Sequence, residues 1–191
     1  MRISLPPPAP SNRKRRFRDL PSREGRLAAR FARMLLLAVL VLLPSFSRAQ
    51  GSAPLFAATL HDIDNRPVAL ADFHGQPLIV NFWARWCGPC RVEIPELIAL
   101  AEANRAKGLR VIGIGLENNS ENVKDFVKAY EMDYTLLFAP VEGISLMRAL
   151  GNGRAAVPFT LAIDRSGRVV MHRLGQVSRA ELDKAAAAVL K

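Results

Sequence analysis

Cys87 and Cys90 are the only two cysteines in the 191-residue chain, and they stand two residues apart in Trp86-Cys87-Gly88-Pro89-Cys90. They can pair only with each other or with another molecule, which marks the segment as a redox site. Cysteines at i and i+3 in the first turn of a helix come within disulfide reach without backbone distortion. A helix starting near Cys87 places its sulfur beside unsatisfied N–H groups and the positive end of the helix dipole, both of which favour thiolate over thiol. Cys87 is therefore the expected nucleophile. Cys90, one turn inward and less exposed, is the expected resolving cysteine that releases a partner held on Cys87. Gly88 lets a partner backbone come close, and Pro89 fits a first helical turn because its missing N–H has no partner there. Trp86, next to the nucleophile, is expected at a substrate-facing rim, since an aromatic plate gives contact area at low entropy cost. Trp83, closing an apolar run, is expected in the core.

Two simpler roles for the pair fit poorly. A structural zinc site needs four ligands, and His61, His74 and His172 are scattered singly without ligand spacing. A purely structural disulfide closed over two residues removes little entropy from the unfolded chain. No metal and no cofactor is expected.

The elements that must position these residues lie after a distinct leader. The chain carries a formal charge of +10, but residues 1–49 hold eleven Lys and Arg against two acidic residues. The remainder is close to neutral, which leaves no electrostatic footprint for a nucleic acid. The leader has a basic stretch reaching Arg30 and Arg33, an apolar run from Met34 to Leu43, and Ser47-Arg48-Ala49 as a small-x-small site before Gln50. It reads as a signal peptide cleaved after Ala49 or, extended by Phe31 and Phe46, as a membrane anchor. The division expected is 1–49 for a basic tail plus signal or anchor and 50–191 for one folded domain.

From Leu55 onward strands alternate with helices, the pattern of an α/β domain with a central sheet flanked by helices. Leu55 to Leu60 and Arg66 to Leu70 are expected to form a hairpin around Asp62-Ile63-Asp64-Asn65. Leu78 to Trp83 reads as a buried strand, Pro89 to Lys107 as a helix stopped by Gly108, and Leu109 to Leu116 as the next strand. Ser120 is the expected N-cap of a helix reaching Glu131. A short strand at Thr135 to Phe138, a helix at Gly143 to Leu150 and a strand at Phe159 to Asp164 follow. A turn at Asp164-Arg165-Ser166-Gly167 leads into a strand from Arg168 to Leu174, and a helix from Ser178 to Leu190 closes the chain. Gly113-x-Gly115 follows a strand as a dinucleotide fingerprint would, but Asn118 occupies the third glycine position, so close packing is the expected reason for the two glycines.

The segment Asn81-Phe82-Trp83-Ala84-Arg85-Trp86-Cys87-Gly88-Pro89-Cys90-Arg91-Val92-Glu93-Ile94-Pro95 resembles the active-site stretch of the TlpA/ResA/CcmG-like thiol–disulfide oxidoreductases of the thioredoxin-like superfamily. Val157-Pro158-Phe159-Thr160 through Ser166-Gly167 resembles the cis-proline segment and closing hairpin of the same proteins. The resemblance covers nearly all of 55–190. It implies a thioredoxin-like fold with a central mixed sheet, an N-terminal hairpin and a helix-strand insert from Ser120 to Phe138. It also implies a cis Val157-Pro158 bond, with Pro158 facing the cysteines and Val157 offering its backbone to a substrate strand. Glu93 matches an acidic residue near the pair in the ResA-like group, where a carboxylate could take a proton from Cys90 or raise the cysteine pKa values; a solvated first-turn acid favoured by the dipole is the alternative. Asn81 stands where thioredoxin carries a buried aspartate.

The expected function is that of an exported protein-disulfide reductase, periplasmic or tethered to the inner membrane. The catalytic residues would be Cys87, Cys90 and Glu93, and Trp86, Gly88, Pro89, Val157 and Pro158 would meet the substrate. The resemblance implies a DsbD/CcdA-like membrane electron donor, and clients such as apocytochrome c in cytochrome c biogenesis or copper-handling proteins of oxidase assembly. Two alternatives differ in kind. A peroxiredoxin-like thiol peroxidase would carry a threonine where this chain has Ala84, and a non-catalytic copper-binding protein would need methionine or histidine ligands that are not clustered here.

Overall fold

The computed structural model describes residues 51–191; the expected leader at 1–49 lies outside them. The described chain begins with a short helix, α1 (Ala53–Phe56), instead of the expected strand from Leu55. Pro54 is the reason: it lacks the N–H that a strand ladder uses, and its fixed φ suits a first helical turn. Leu55 is fully buried by this turn. The hairpin then forms from shorter strands, β1 (Thr59–Asp62) and β2 (Pro67–Ala69). Its turn is closed by Asp62, whose carboxylate accepts from the backbone N–H groups of Asp64 and Arg66, each at 2.9 Å. Leu70 opens a 3-10 turn, Leu70–Phe73, where the expectation had a strand end.

The remaining elements follow the order read from the sequence. They are β3 (Leu78–Trp83), α2 (Gly88–Asn104), β4 (Arg110–Gly115), α3 (Glu121–Ala129), β5 (Thr135–Phe138), α4 (Glu142–Ala149), β6 (Phe159–Ile163), β7 (Val169–Leu174) and α5 (Arg179–Val189). The last turn of the long helix tightens into a 3-10 segment, Arg105–Lys107, and Gly108 ends it with a φ of 82°, a left-handed conformation that suits glycine. Ser120 sits at the N-cap of α3, but its side chain makes no capping bond. Ser178 does cap α5, in a reciprocal capping box with Glu181.

The strands form one mixed sheet in the order β2-β1-β5-β4-β3-β6-β7. β3 runs parallel to β4, and β4 to β5, while β1 and β6 join antiparallel at either side. The interior strand β3 is buried at all six positions. Its side chains alternate between the faces, as a strand requires. Leu78, Val80 and Phe82 pack under α4 with Leu146 and Met147. Ile79 packs with Leu97 and Leu100 of α2 and Leu182 of α5. At the end of β3, Trp83 joins Cys87, Cys90, Ile94, Val123 and Phe138 in a third cluster under α2 and α3. Residues 120–138, expected as a helix-strand insert, supply α3 and β5, so this insert roofs the cluster that holds the cysteines.

Gly113 and Gly115 serve packing. A Cβ on Gly113 would lie 2.9 Å from Tyr134 Cε2 and 3.1 Å from Trp83 Nε1, and one on Gly115 would lie 2.9 Å from Phe138 Cδ1. The bare backbone of β4 is what lets the Trp83 indole and the Tyr134 ring lie against the sheet.

Candidate active site

The reactive loop leaves β3 and enters α2 within four residues. Cys87 is the N-cap of α2, with an extended backbone at φ −84° and ψ 105°, and Gly88 and Pro89 form the first helical positions. The two sulfurs are joined in a disulfide with Cα atoms 5.3 Å apart. Cys87 Sγ also accepts from the backbone N–H of Cys90 at 3.2 Å, so a helix-start donor points at the outer sulfur. Cys87 retains 5% exposure and Cys90 none. Of the two sulfurs, the outer one at the helix start keeps some exposure and the inner one is enclosed.

Around the disulfide, Gly88 and Pro89 are exposed and Trp86 is 69% exposed. Val92, one turn along α2, is a second exposed apolar side chain, at 60%. Trp83 is buried, as expected of core, and its ring stacks on Phe126 with centroids 5.6 Å apart. The Val157-Pro158 peptide is cis. Pro158 is buried, and Val157 is partly buried against the cluster that contains both cysteines. The preceding loop is braced by Asn152, whose side chain donates to Ala156 O at 2.7 Å and accepts from Ala156 N at 3.3 Å. The structure thus brings together Trp86, Cys87, Gly88, Pro89, Cys90 and Val157-Pro158, which the sequence holds seventy residues apart.

Glu93 does not behave as a solvated first-turn acid. It is 1% exposed, one turn beyond Cys90 on the same face of α2. Its Oε1 accepts from Asn81 Nδ2 at 2.7 Å, and its Oε2 accepts from the backbone N–H of Val177 at 3.0 Å. Burial pushes its pKa up to about 7, against the lowering pull of these two donors. A carboxyl with that value can hold or yield a proton near neutral pH, which is what acid–base work at a neighbouring thiol requires.

Three residues in this arrangement escaped the sequence reading. Asn81, which stands where thioredoxin carries a buried aspartate, is the side chain that grips Glu93. Thr160 accepts from the same Asn81 amide at 3.0 Å, across the β3–β6 pairing of Asn81 with Thr160. Val177 contributes only its backbone, which leaves no trace in a residue type. The signal for Asn81 was present: a lone polar residue in the apolar strand Leu78-Ile79-Val80-Asn81-Phe82-Trp83 needs a buried partner.

The comparisons with known proteins agree with this geometry. A family model described as Redoxin matches residues 43–190. The chain belongs to the Redoxin family. Within it, the TlpA/ResA/CcmG-like resemblance holds. The thiol-disulfide oxidoreductase ResA of Bacillus thuringiensis subsp. konkukian is 29% identical over 132 residues, covering 69% of this chain and 73% of that protein. The thiol:disulfide interchange protein HelX of Rhodobacter capsulatus is 32% identical over 110 residues, 58% of each chain. A crystal structure of a thioredoxin-family thiol:disulfide interchange protein from Chlorobium tepidum TLS superposes with a TM-score of 0.63 at 30% identity, covering 70% of this chain and 93% of that one. The fold is therefore thioredoxin-like, and this Redoxin-family chain is an enzyme of thiol–disulfide exchange.

Proposed function

We propose that the protein reduces disulfides of client proteins outside the cytoplasm, with Cys87 as the attacking thiolate. In the reduced enzyme, Cys87 attacks a client disulfide and forms a mixed disulfide, releasing one client sulfur as thiolate. Cys90 then attacks Cys87 Sγ, frees the second client thiolate and closes the internal disulfide. Glu93 takes the proton that Cys90 must lose and returns it when the pair is next reduced. The observation that carries this reading is the gradient across the helix start: a sulfur with residual exposure facing a backbone N–H, a buried sulfur one turn in, and a buried carboxyl behind it. Exposed Trp86 and Val92 give the client an apolar rim, and Gly88, Pro89, Val157 and Pro158 border the sulfur it must reach.

The reducing direction is supported by the Gly-Pro dipeptide between the cysteines, which resembles that of thioredoxin-type reductants. Export rests on the leader, with residues 1–49 as signal or anchor and 50–191 as the working domain in the periplasm. The ResA and HelX likeness supports disulfide-bearing client proteins as a class; within that class apocytochrome c, or copper-handling proteins of oxidase assembly, would be the clients, and a donor of DsbD/CcdA type would restore the dithiol.

Turnover of an insulin disulfide by the dithiol form tests the reaction. Cys87→Ser should lose turnover, while Cys90→Ser should retain one attack and accumulate a covalent adduct. An active Cys87→Ser protein would refute the mechanism.

A further inference from the structure

Asn81 Oδ1, Trp83 Nε1 and the Tyr134 hydroxyl are buried with no hydrogen-bond partner among the described residues. All three residues border the Asn81–Gly113 pair of the β3–β4 ladder. The space over Gly113 is where the Tyr134 ring edge and Trp83 Nε1 meet, 2.9 and 3.1 Å from a Cβ built there. The Asn81 amide nitrogen is directed to Glu93 on α2 and to Thr160 on β6, the neighbour on the opposite side of β3 from β4. The carboxamide oxygen is the atom these two contacts leave over, and Trp83 Nε1 and the Tyr134 ring edge pack over Gly113, the β4 neighbour of Asn81.

The three atoms form a complementary set. An indole N–H only donates, a carboxamide oxygen only accepts, and a phenol does both. Leaving all three unpaired in a dry interior is costly, and buried waters characteristically bridge such groups with two to four bonds each. We propose that Asn81, Trp83 and Tyr134 form a binding site for one buried water that accepts from Trp83 Nε1, donates to Asn81 Oδ1 and bonds the Tyr134 hydroxyl, fixing the Asn81 carboxamide with its NH₂ on Glu93. The water holds the amide in the orientation that supports the carboxylate, because a flipped amide would set its oxygen against Glu93 and lose both donors.

Tyr134 is then a positioning residue that acts on Glu93 through the water and Asn81, and this role rests on the reading of Glu93 as the acid–base group. The phenol lies within electrostatic range of that group: burial first, then the charges of Glu93 and Asp133, raise its pKa above the ordinary value. The titratable groups near Glu93 are Tyr134 ahead of β5 and, once the disulfide is reduced, Cys90 one turn earlier on its own helix. Among the described residues its carboxylate meets no cationic side chain, only Asn81 and the Val177 N–H.

Two measurements on the full chain test the site. In the wild-type protein, the buried Trp83 indole N–H should show a magnetisation-transfer peak to a long-lived water. In Tyr134→Phe, which keeps the ring, the Glu93 carboxyl titration followed by infrared difference spectroscopy should move alkaline by about half a pH unit as the amide loses its anchor. An absent water peak, or a Glu93 midpoint unchanged in Tyr134→Phe, would overturn the proposal; relief of an unpaired hydroxyl alone would raise Tm and leave that midpoint in place. Glu93→Gln separates the two readings, since a carboxyl signal near pH 7 that survives it would remove Glu93 from the mechanism and this inference with it.

Discussion

Asn81 on the interior strand β3 holds the Glu93 carboxyl at 2.7 Å inside the protein, and the loop bearing both cysteines lies between them in the chain. The contact ties the helix that carries Cys90 to the strand that delivers Cys87. It also buries an acid whose folded-state pKa of about 7 lies above its ordinary 4.5. The folded protein therefore binds this proton more tightly than the unfolded chain does. The corresponding stability is fully present below about pH 4.5 and is lost as pH rises through about 7, a change on the order of 3 kcal/mol at most. Urea unfolding of the oxidised protein from pH 4 to 8 should show this decline, and Glu93→Gln should flatten it. A wild-type midpoint constant over that range would contradict the buried acid.

If the same carboxyl takes the proton that Cys90 loses, it sets the kinetics of release. Loss of a positioned base costs about 10²-fold or more in a proton-transfer step. Glu93→Gln should therefore slow the escape of a client from its mixed disulfide with Cys87 while leaving the first attack nearly unchanged. Stopped-flow measurement of the two phases separates them; an equal effect on both would assign Glu93 to cysteine pKa tuning instead.

The sequence disclosed the chemistry and most of the element order because both are local signals. The Cys87-Cys90 spacing, the six-residue apolar strand before it and the Gly108 stop each follow from a few adjacent residues. The reading at Leu55 failed because a four-residue apolar run fits a strand or a buried helical turn, and Pro54 was the clue that decided it. Glu93 stayed ambiguous for a different reason. An acid in an early helical turn satisfies the dipole whether or not it is solvated, so its burial emerged only when Asn81, Thr160 and the Val177 N–H came together from three separate elements.

Trp86 is the most exposed aromatic group beside the disulfide. If it is a contact plate for clients, Trp86→Ala should raise KM for a protein disulfide by about 10-fold, the scale of an aromatic interface anchor. Reaction of the same variant with a small aliphatic disulfide, which is too short to use the plate, should keep its wild-type rate. Parallel losses on both substrates would place Trp86 in the chemistry of Cys87 rather than in client binding.

Gly113 and Gly88 make an opposed pair that tests the packing under the site. A methyl at position 113 would meet Tyr134 at 2.9 Å, Leu136 at 3.0 Å and Trp83 at 3.1 Å, whereas one at position 88 meets nothing within 4 Å. Neither glycine has a positive φ, so the contrast is steric and not conformational. Gly113→Ala should destabilise the protein by about 1–3 kcal/mol, the usual cost of overpacking a filled core. Gly88→Ala should change stability by no more than about 0.5 kcal/mol, as at an open surface position. Denaturant midpoints of the two variants decide it: if Gly113→Ala proves as stable as Gly88→Ala, the indole and phenol do not lie against β4, and the wall behind Glu93 is built differently.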